Sequence, residues 1–186
     1  EKVFTLVPFF RLHDARYVLY WPYATPEALE ARRREWAEAD RARLALEAQT
    51  IDRVAPGEQQ PEVEHEFEGE GTEAGVYRGR HWRHAHGWFS YELRDSRREA
   101  AMLRVTYSAA DRGRTFDLLM NGVKVATVVL DGSQEGDFFT VDYAVPVEAL
   151  EKARDGTLVT KFVAHPGSMA GGVFDVRLLR AEEDAP

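Results

Sequence analysis

Residues 115–130 read TFDLLMNGVKVATVVL, two β-type runs separated by an Asn-Gly pair. Asn-Gly is the preferred pair for a two-residue hairpin turn, because both turn positions require a positive φ angle that asparagine and glycine tolerate. The stretch therefore predicts a β-hairpin with Asn121 and Gly122 at its turn.

Further strand-like runs lie on both sides of this hairpin. The run at 88–93 places Phe89, Tyr91 and Leu93 on one face, and alternating or β-branched residues recur at 103–109, 138–145, 158–165 and 172–179. A short helix is predicted at 146–153. Many short strands separated by turns are typical of a β-sandwich. We therefore predict a mainly β protein, with a jelly-roll-like β-sandwich over residues 76–181.

A long helix is predicted before the sandwich. Thr25 can cap the helix and Pro26 suits its first position. Leu29, Trp36, Leu44 and Ile51 then form an apolar stripe on an otherwise charged segment. This pattern predicts a linker helix over 25–57. The β-branched and aromatic runs in residues 1–24 predict a β-hairpin that belongs to a preceding β-domain, and a frayed tail is predicted at 182–186.

The negative charge of the chain is concentrated in one segment. The formal net charge is -8, and residues 58–73 contain seven glutamates without a lysine or arginine. With its glycines and few apolar residues, this segment is predicted to be an acidic loop over 58–75. The absence of a basic patch elsewhere argues against nucleic-acid binding.

Composition excludes several other classes. The 186 residues are 44% hydrophobic, enough for a sizeable core, and include no cysteine. A disulfide scaffold and a cysteine nucleophile are therefore excluded. There is no apolar run of membrane-spanning length, no nucleophile-elbow motif and no phosphate-binding glycine motif. We predict no catalytic residue, no cofactor and no membrane partner.

The histidine cluster allows two interpretations. His81, His84 and His86, with His65 upstream, could converge on a metal ion. Their spacing matches no helical zinc motif, so loop or strand histidines are the favoured interpretation and no metal site is predicted.

The aromatic residues suggest a binding surface. Alternation along 88–93 places Trp88 on the outward face with Ser90 and Glu92. An outward tryptophan can stack on a sugar or pack against another part of the protein. The first alternative predicts a carbohydrate-binding patch formed by Trp82, Arg83, His86 and Trp88. The second, which we favour, predicts that Trp88 is buried under the acidic loop or the long helix.

Several short motifs occur in the order found in one enzyme family. They are the run Leu6 to Trp21, the stretch Pro56 to Glu62, the Trp82-Arg83 pair with Gly87 to Tyr91, and the run Ala170 to Phe174. In this order and over nearly the whole chain, they resemble the region after the catalytic barrel in bacterial β-L-arabinofuranosidase-like glycoside hydrolases of families 127 and 146.

The resemblance implies a non-catalytic role for this chain. In that family an upstream (α/α)6 barrel carries a cysteine nucleophile, a glutamate acid/base and a cysteine-ligated zinc, and no residue here matches those positions. The chain resembles the C-terminal accessory region of such a hydrolase, with the barrel of the same polypeptide as its partner and a periplasmic or extracellular location. Residues of the acidic loop that could contact the barrel or shape its cleft are Glu58, Gln59, Gln60, Glu62 and His65. The alternative function is a carbohydrate-binding module for arabinose-containing glycans.

Overall fold

A computed structural model describes residues 24–181, and the chain divides into two compact units, Glu1–Leu44 and Ala45–Pro186. The predicted hairpin at 1–24, apart from its last residue, and the predicted frayed tail at 182–186 lie outside the described residues. Within residues 24–181, no helix combines the length and the apolar content needed to cross a membrane.

The described chain contains three helices and nine strands. The helices are α1 (Pro26–Gln49), α2 (Gln59–Glu64) and α3 (Val147–Glu151). The strands are β1 (Thr50–Val54), β2 (Glu68–Tyr77), β3 (Arg80–Arg94), β4 (Ala100–Ser108), β5 (Arg114–Met120), β6 (Val123–Leu130), β7 (Phe138–Ala144), β8 (Thr157–Ala164) and β9 (Ala170–Arg180).

The strands form one continuous path that folds into two layers. Their order is β6-β5-β8-β3-β9-β4-β7, with β1 added to β9 and β2 added to β3. The long strand β3 belongs to both layers, because Trp88–Arg94 pair with β8 while Arg83–Ala85 pair with β9. The predicted mainly β, jelly-roll-like sandwich is confirmed.

The Asn-Gly hairpin forms as predicted and has a second role. Asn121 and Gly122 have φ angles of 47° and 76°, and β5 pairs with β6 on either side of them. The Asn121 amide also donates to the carbonyls of Ala149 and Thr157, while its oxygen accepts the Val159 N–H at 2.9 Å. The turn residue therefore attaches the hairpin to α3 and β8.

Aromatic rings fill the space between the layers. Phe89 stacks on Phe162 with ring centroids 4.7 Å apart, and Tyr91 and Phe116 pack against these two rings. All four side chains are fully buried. Burial of a large apolar side chain contributes roughly 1.5–3 kcal/mol, so these four rings add substantially to the stability of the hydrophobic core.

The linker helix is shorter than predicted. The prediction of helix over 25–57 is wrong after Gln49, because Thr50–Val54 form β1 against β9. The Thr50 hydroxyl donates to the Leu46 carbonyl at 2.7 Å in the last turn of the helix. Burial of the β-branched Val54 in the core favours the strand, so Ile51 does not continue the helical stripe. The sandwich therefore begins near residue 50 rather than at 76.

The acidic segment is also ordered, so the prediction of a loop over 58–75 is wrong. It contains α2 and most of β2, which pairs along its length with β3. Among the described strands, β2 pairs with β3 alone, and most of its side chains remain exposed. Charged side chains are common on such edge strands because both faces stay in water and the charges discourage further pairing.

A buried carboxylate attaches α2 to the sandwich. Glu62 is 6% exposed and faces the guanidinium of Arg83 in a two-pronged ion pair, with the Nε–Oε1 distance at 2.9 Å. The same oxygen accepts hydrogen bonds from the Tyr91 hydroxyl and the Gly57 N–H. The guanidinium also lies over the Phe67 ring, 4.4 Å from its centroid. Every charge in this group therefore has a partner.

Replacing Glu62 with Gln is expected to destabilise the sandwich by about 3 kcal/mol, because it leaves the buried Arg83 charge without a counter-ion. Urea unfolding followed by tryptophan fluorescence measures the loss. Glu58→Gln, which removes an exposed glutamate from the same segment, is the matched control and should change little. A loss below about 1 kcal/mol for Glu62→Gln would contradict the structural role of the ion pair.

Candidate functional site

A pocket with aromatic walls lies where five strands meet. It forms at the end of β2, the first half of β3, the end of β4 and the starts of β5 and β9, and its volume is about 190 Å³. We call it the aromatic pocket. Its lining residues are Tyr77, Trp82, His84, Ser108, Ala110, Asp111, Arg114, Gly172 and Phe174.

A β-bulge supplies one wall of this pocket. Tyr107 of β4 pairs with Val173, but the preceding residue pairs with Asp175, so Phe174 is an extra residue in β9. Its ring leaves the main core and packs against Tyr77 and Phe138, at centroid distances of 6.5 and 4.8 Å. Phe174 therefore does not share the core face of Val176 and Leu178, although a regular strand would place all three on one side, because the bulge shifts the parity of the strand.

A glycine keeps the floor of the pocket open. A Cβ atom at Gly172 would lie 2.7 Å from Oδ2 of Asp111 and 3.4 Å from Nη1 of Arg114. Any side chain at this position would therefore displace those charged groups or fill the space above them. The absence of a side chain at Gly172 is a condition for the pocket.

The floor carries one ion pair with unused hydrogen-bonding capacity. Nη2 of Arg114 lies 2.7 Å from Oδ1 of Asp111. Nη1 of the same guanidinium is buried and has no hydrogen-bond partner among the described residues. Burial raises the pKa of Asp111 against the opposing effect of Arg114, and burial likewise lowers the pKa of Arg114. The pair is thus partly desolvated and has a free donor.

His84 provides a second buried polar atom that makes no hydrogen bond among the described residues. Its ring lies against that of Trp82, with centroids 4.6 Å apart. Its buried Nε2 is 3.4 Å from a carboxylate oxygen of Glu73 but makes no hydrogen bond among the described residues. Burial, and next the positive charge of Arg114, lower the pKa of His84, while Glu73 opposes the shift. The imidazole is therefore mainly neutral at pH 7.

A second cavity adjoins the pocket at Arg114, which lines both. Its volume is about 510 Å³. We call it the basic cleft. Its lining residues are His86, Arg112, Gly113, Arg114, Gly167, Ser168 and Met169.

The structure separates the four residues of the predicted carbohydrate patch. Trp82 lines the aromatic pocket and His86 lines the basic cleft. Arg83 points the other way, into the ion pair with Glu62. Trp88 is half-buried with Nζ of Lys161 3.4 Å from its ring centroid, so a β8 lysine covers one ring face. The predicted patch is therefore not one surface.

The predicted contact residues of the acidic segment also separate into two groups. Glu58, Gln59 and Gln60 are exposed, and their interdomain role stays a prediction. Glu62 and His65 are buried within this chain, so the prediction that they face another domain is wrong.

His65 instead holds the end of α2 near β1. Its two ring nitrogens face the Pro61 carbonyl at 2.7 Å and a carboxylate oxygen of Asp52 at 3.1 Å. Because both neighbours accept hydrogen bonds, the charged imidazolium is favoured, and the hydrogen bond to Asp52 is the main cause that raises the pKa of His65.

Within residues 24–181, no three histidine or acidic side chains are close enough together to hold a metal ion.

Sequence reasoning missed most of the pocket. Tyr77, Asp111, Arg114, Gly172 and Phe174 lie on segments far apart in the sequence, and no motif connects them. The Gly-Gly pair at 171–172 was the one available indication, since it suggested a close approach of backbone. Both glycines lie within β9, and a Cβ atom at Gly171 would lie 2.6 Å from the Arg83 carbonyl oxygen.

Comparisons with known proteins identify a family and two similar folds. A family described as a family of unknown function, DUF6805, matches residues 45–179. The native structure of a family 35 carbohydrate-binding module from Clostridium thermocellum is similar, with a TM-score of 0.48 and 14% identity over 69% of this chain and 98% of that chain. A GH26-CBM35 β-(1,4)-mannanase from Podospora anserina has a TM-score of 0.40 and 12% identity, over 63% of this chain and 26% of that chain. No curated protein matches the chain.

Replacing Arg114 with Gln is expected to raise the pKa of His84, because it removes a positive charge that lowers this pKa. NMR titration of the histidine ring protons measures the change. In the unmodified protein, His84 should titrate below and His65 above the usual imidazole value of about 6.5. Arg97→Gln, an exposed site in the β3–β4 turn, is the control. An unchanged pKa of His84 in Arg114→Gln would contradict the electrostatic contact between the two groups.

Proposed function

The chain belongs to the DUF6805 family, whose function is unknown, and we propose that its β-sandwich is a carbohydrate-binding module with the aromatic pocket as its ligand site. The observation that carries the proposal concerns two side chains that line the pocket, Arg114 and His84, because Nη1 of the first and Nε2 of the second are buried and make no hydrogen bond among the described residues. A buried polar group without a partner costs about 1–3 kcal/mol, and a ligand rich in hydroxyl groups would remove that cost.

The walls suit the apolar face of a sugar ring. Trp82, Tyr77 and Phe174 contribute aromatic rings to the lining of the pocket, and the last two rings are in contact with each other. Sugars present C–H groups on one ring face and hydroxyl groups at the edge, so an aromatic wall with a polar floor complements them. This pattern distinguishes the pocket from the surface of Trp88, where Lys161 already covers one face of the ring.

The floor suits the hydroxyl groups. The carboxylate of Asp111 can accept hydrogen bonds and Nη1 of Arg114 can donate them. Nε2 of neutral His84 can do either, according to its tautomer. Adjacent acceptors and donors of this kind match neighbouring hydroxyl groups on one ring.

The size of the pocket limits the ligand. Its volume of about 190 Å³ is below the roughly 300–1,000 Å³ of pockets for drug-sized ligands. The pocket therefore admits about one monosaccharide unit, such as the end or a side branch of a glycan. Arabinose-containing glycans are our first candidates because of the resemblance described above.

A second candidate function is the accessory region of a longer β-L-arabinofuranosidase-like hydrolase, non-catalytic by itself and located in the periplasm or outside the cell. One feature of the first unit favours it. Leu29, Trp36 and Leu44 of α1 are 40%, 62% and 54% exposed and recur at helical spacing. An apolar stripe of this kind suits packing against another domain, such as the predicted (α/α)6 barrel.

Sugar binding is tested by titrating the 15N-labelled chain with arabino-oligosaccharides and common methyl glycosides. We expect a dissociation constant of about 1 mM or tighter for at least one ligand, with amide shifts at 108–114 and 170–174. Trp82→Ala and Gly172→Val should each weaken binding at least about tenfold, because they remove a wall or fill the floor.

Trp88→Ala is the matched control for these variants. It removes another half-buried tryptophan of the same strand and should leave the affinity unchanged. If no sugar shifts these amides, or if Trp88→Ala has the largest effect, the proposed site is wrong.

The hydrolase context is tested with the complete polypeptide encoded by the gene. We expect the polypeptide to hydrolyse 4-nitrophenyl β-L-arabinofuranoside and the 186-residue chain alone to show no turnover. Trp36→Asp should lower the melting temperature of the polypeptide but not of the isolated chain, because only the former would bury the stripe. A polypeptide without this activity would contradict the second candidate.

A further inference from the structure

We infer that the basic cleft binds an anionic group, a carboxylate or a sulfate ester, carried by the sugar that occupies the aromatic pocket. The inference rests on the proposed function and assigns a ligand class to it. Its structural basis is Arg114, which lines both cavities and has a buried Nη1 atom without a hydrogen-bond partner among the described residues.

The charges around the cleft favour an anion. Arg112 lines the cleft and has no carboxylate within ion-pair distance among residues 24–181, whereas Arg114 is neutralised on one side by Asp111. His86 adds an imidazole. Glu73 lies against His84 and has a largely exposed side chain, and Asp131 precedes the Gly132 on which Arg112 lies, but neither acid lines the cleft. The residues that line the cleft therefore carry two guanidinium groups and no carboxylate.

The loops that form the cleft are fixed before a ligand arrives. The Ser168 hydroxyl accepts the Thr115 N–H at 2.6 Å and donates to the Gly113 carbonyl at 3.4 Å. These contacts connect the β8–β9 loop to the β4–β5 loop. A rigid frame lowers the ordering cost when a ligand binds.

The side chain of Arg112 is also positioned by its neighbours. It lies across Gly132 of the β6–β7 loop, where an added Cβ would be 2.5 Å from its Cγ and Nε. The glycine thus leaves room for the extended arginine. A guanidinium offers paired N–H donors that match the oxygens of a carboxylate or a sulfate, so Arg112 and Arg114 together suit an oxyanion rather than another hydroxyl group.

The experiment compares neutral and charged sugars of the same shape. The probes are the methyl glycosides of glucose and galactose, their uronates, and their 6-sulfates, titrated by calorimetry at low and high salt. We expect one charged form to bind at least about tenfold more tightly than its neutral parent at low salt, with a smaller advantage at high salt. The uronate and sulfate arms show which oxyanion is recognised.

Two variants attribute this preference to the cleft. Arg112→Gln should remove most of the advantage of the charged sugar and leave the affinity for the neutral sugar unchanged, since Arg112 does not line the aromatic pocket. Arg97→Gln removes the same charge from an exposed turn at the other end of β4 and should change neither value. Thermal unfolding establishes that both variants are folded.

The possible results separate the inference from the proposed function. If neutral and charged sugars bind equally well, or if Arg112→Gln preserves the preference, the anionic subsite is rejected while sugar binding stands. If no glycoside binds in any arm, the proposed function fails and this inference fails with it. Preference for a charged sugar that disappears in Arg112→Gln supports both.

Discussion

The ion pair between Glu62 and Arg83 is the interaction on which the rest of the sandwich depends. Arg83 lies on β3, the strand that belongs to both layers, and its guanidinium is directed to the same side as the buried Tyr91. A buried charge is costly unless it is paired and fully hydrogen-bonded. Glu62 meets this requirement and thereby holds α2 and the acidic segment against the strand.

The same strand has a different role on its other face. Side chains of a strand alternate between faces, so Trp82, His84 and His86 lie opposite to Arg83. The first two line the aromatic pocket and the third lines the basic cleft. The internal ion pair therefore also stabilises the register that places the aromatic and imidazole rings, since a shift of one residue would exchange the two faces.

Local sequence patterns were sufficient to predict those elements whose conformation is decided by residues adjacent in the sequence. The Asn-Gly hairpin and the alternating strands depend on turn chemistry and on a period of two, which can be recognised from the residues themselves. The prediction of one carbohydrate-binding patch was wrong because residues that are close in the sequence need not share a surface. Trp82, Arg83, His86 and Trp88 are close in sequence, but alternation sends Arg83 to the side opposite Trp82 and His86. The pairing of β3 with β2 shifts register between Ala85 and Trp88, and Lys161 from β8 covers one face of the Trp88 ring.

The sequence by itself determined the mainly β class, the hairpin at Asn121 and the absence of cysteine chemistry, because each follows from local propensity or from composition. Only the tertiary structure decided that the acidic segment is ordered and that Arg114 and Phe174 share a pocket. The physical reason is that the residues which determine these features are far apart in the sequence and meet only when the chain folds. A glutamate in a polar segment is solvated unless a partner such as Arg83 desolvates it, and a bulge such as that at Phe174 exists only against a paired strand.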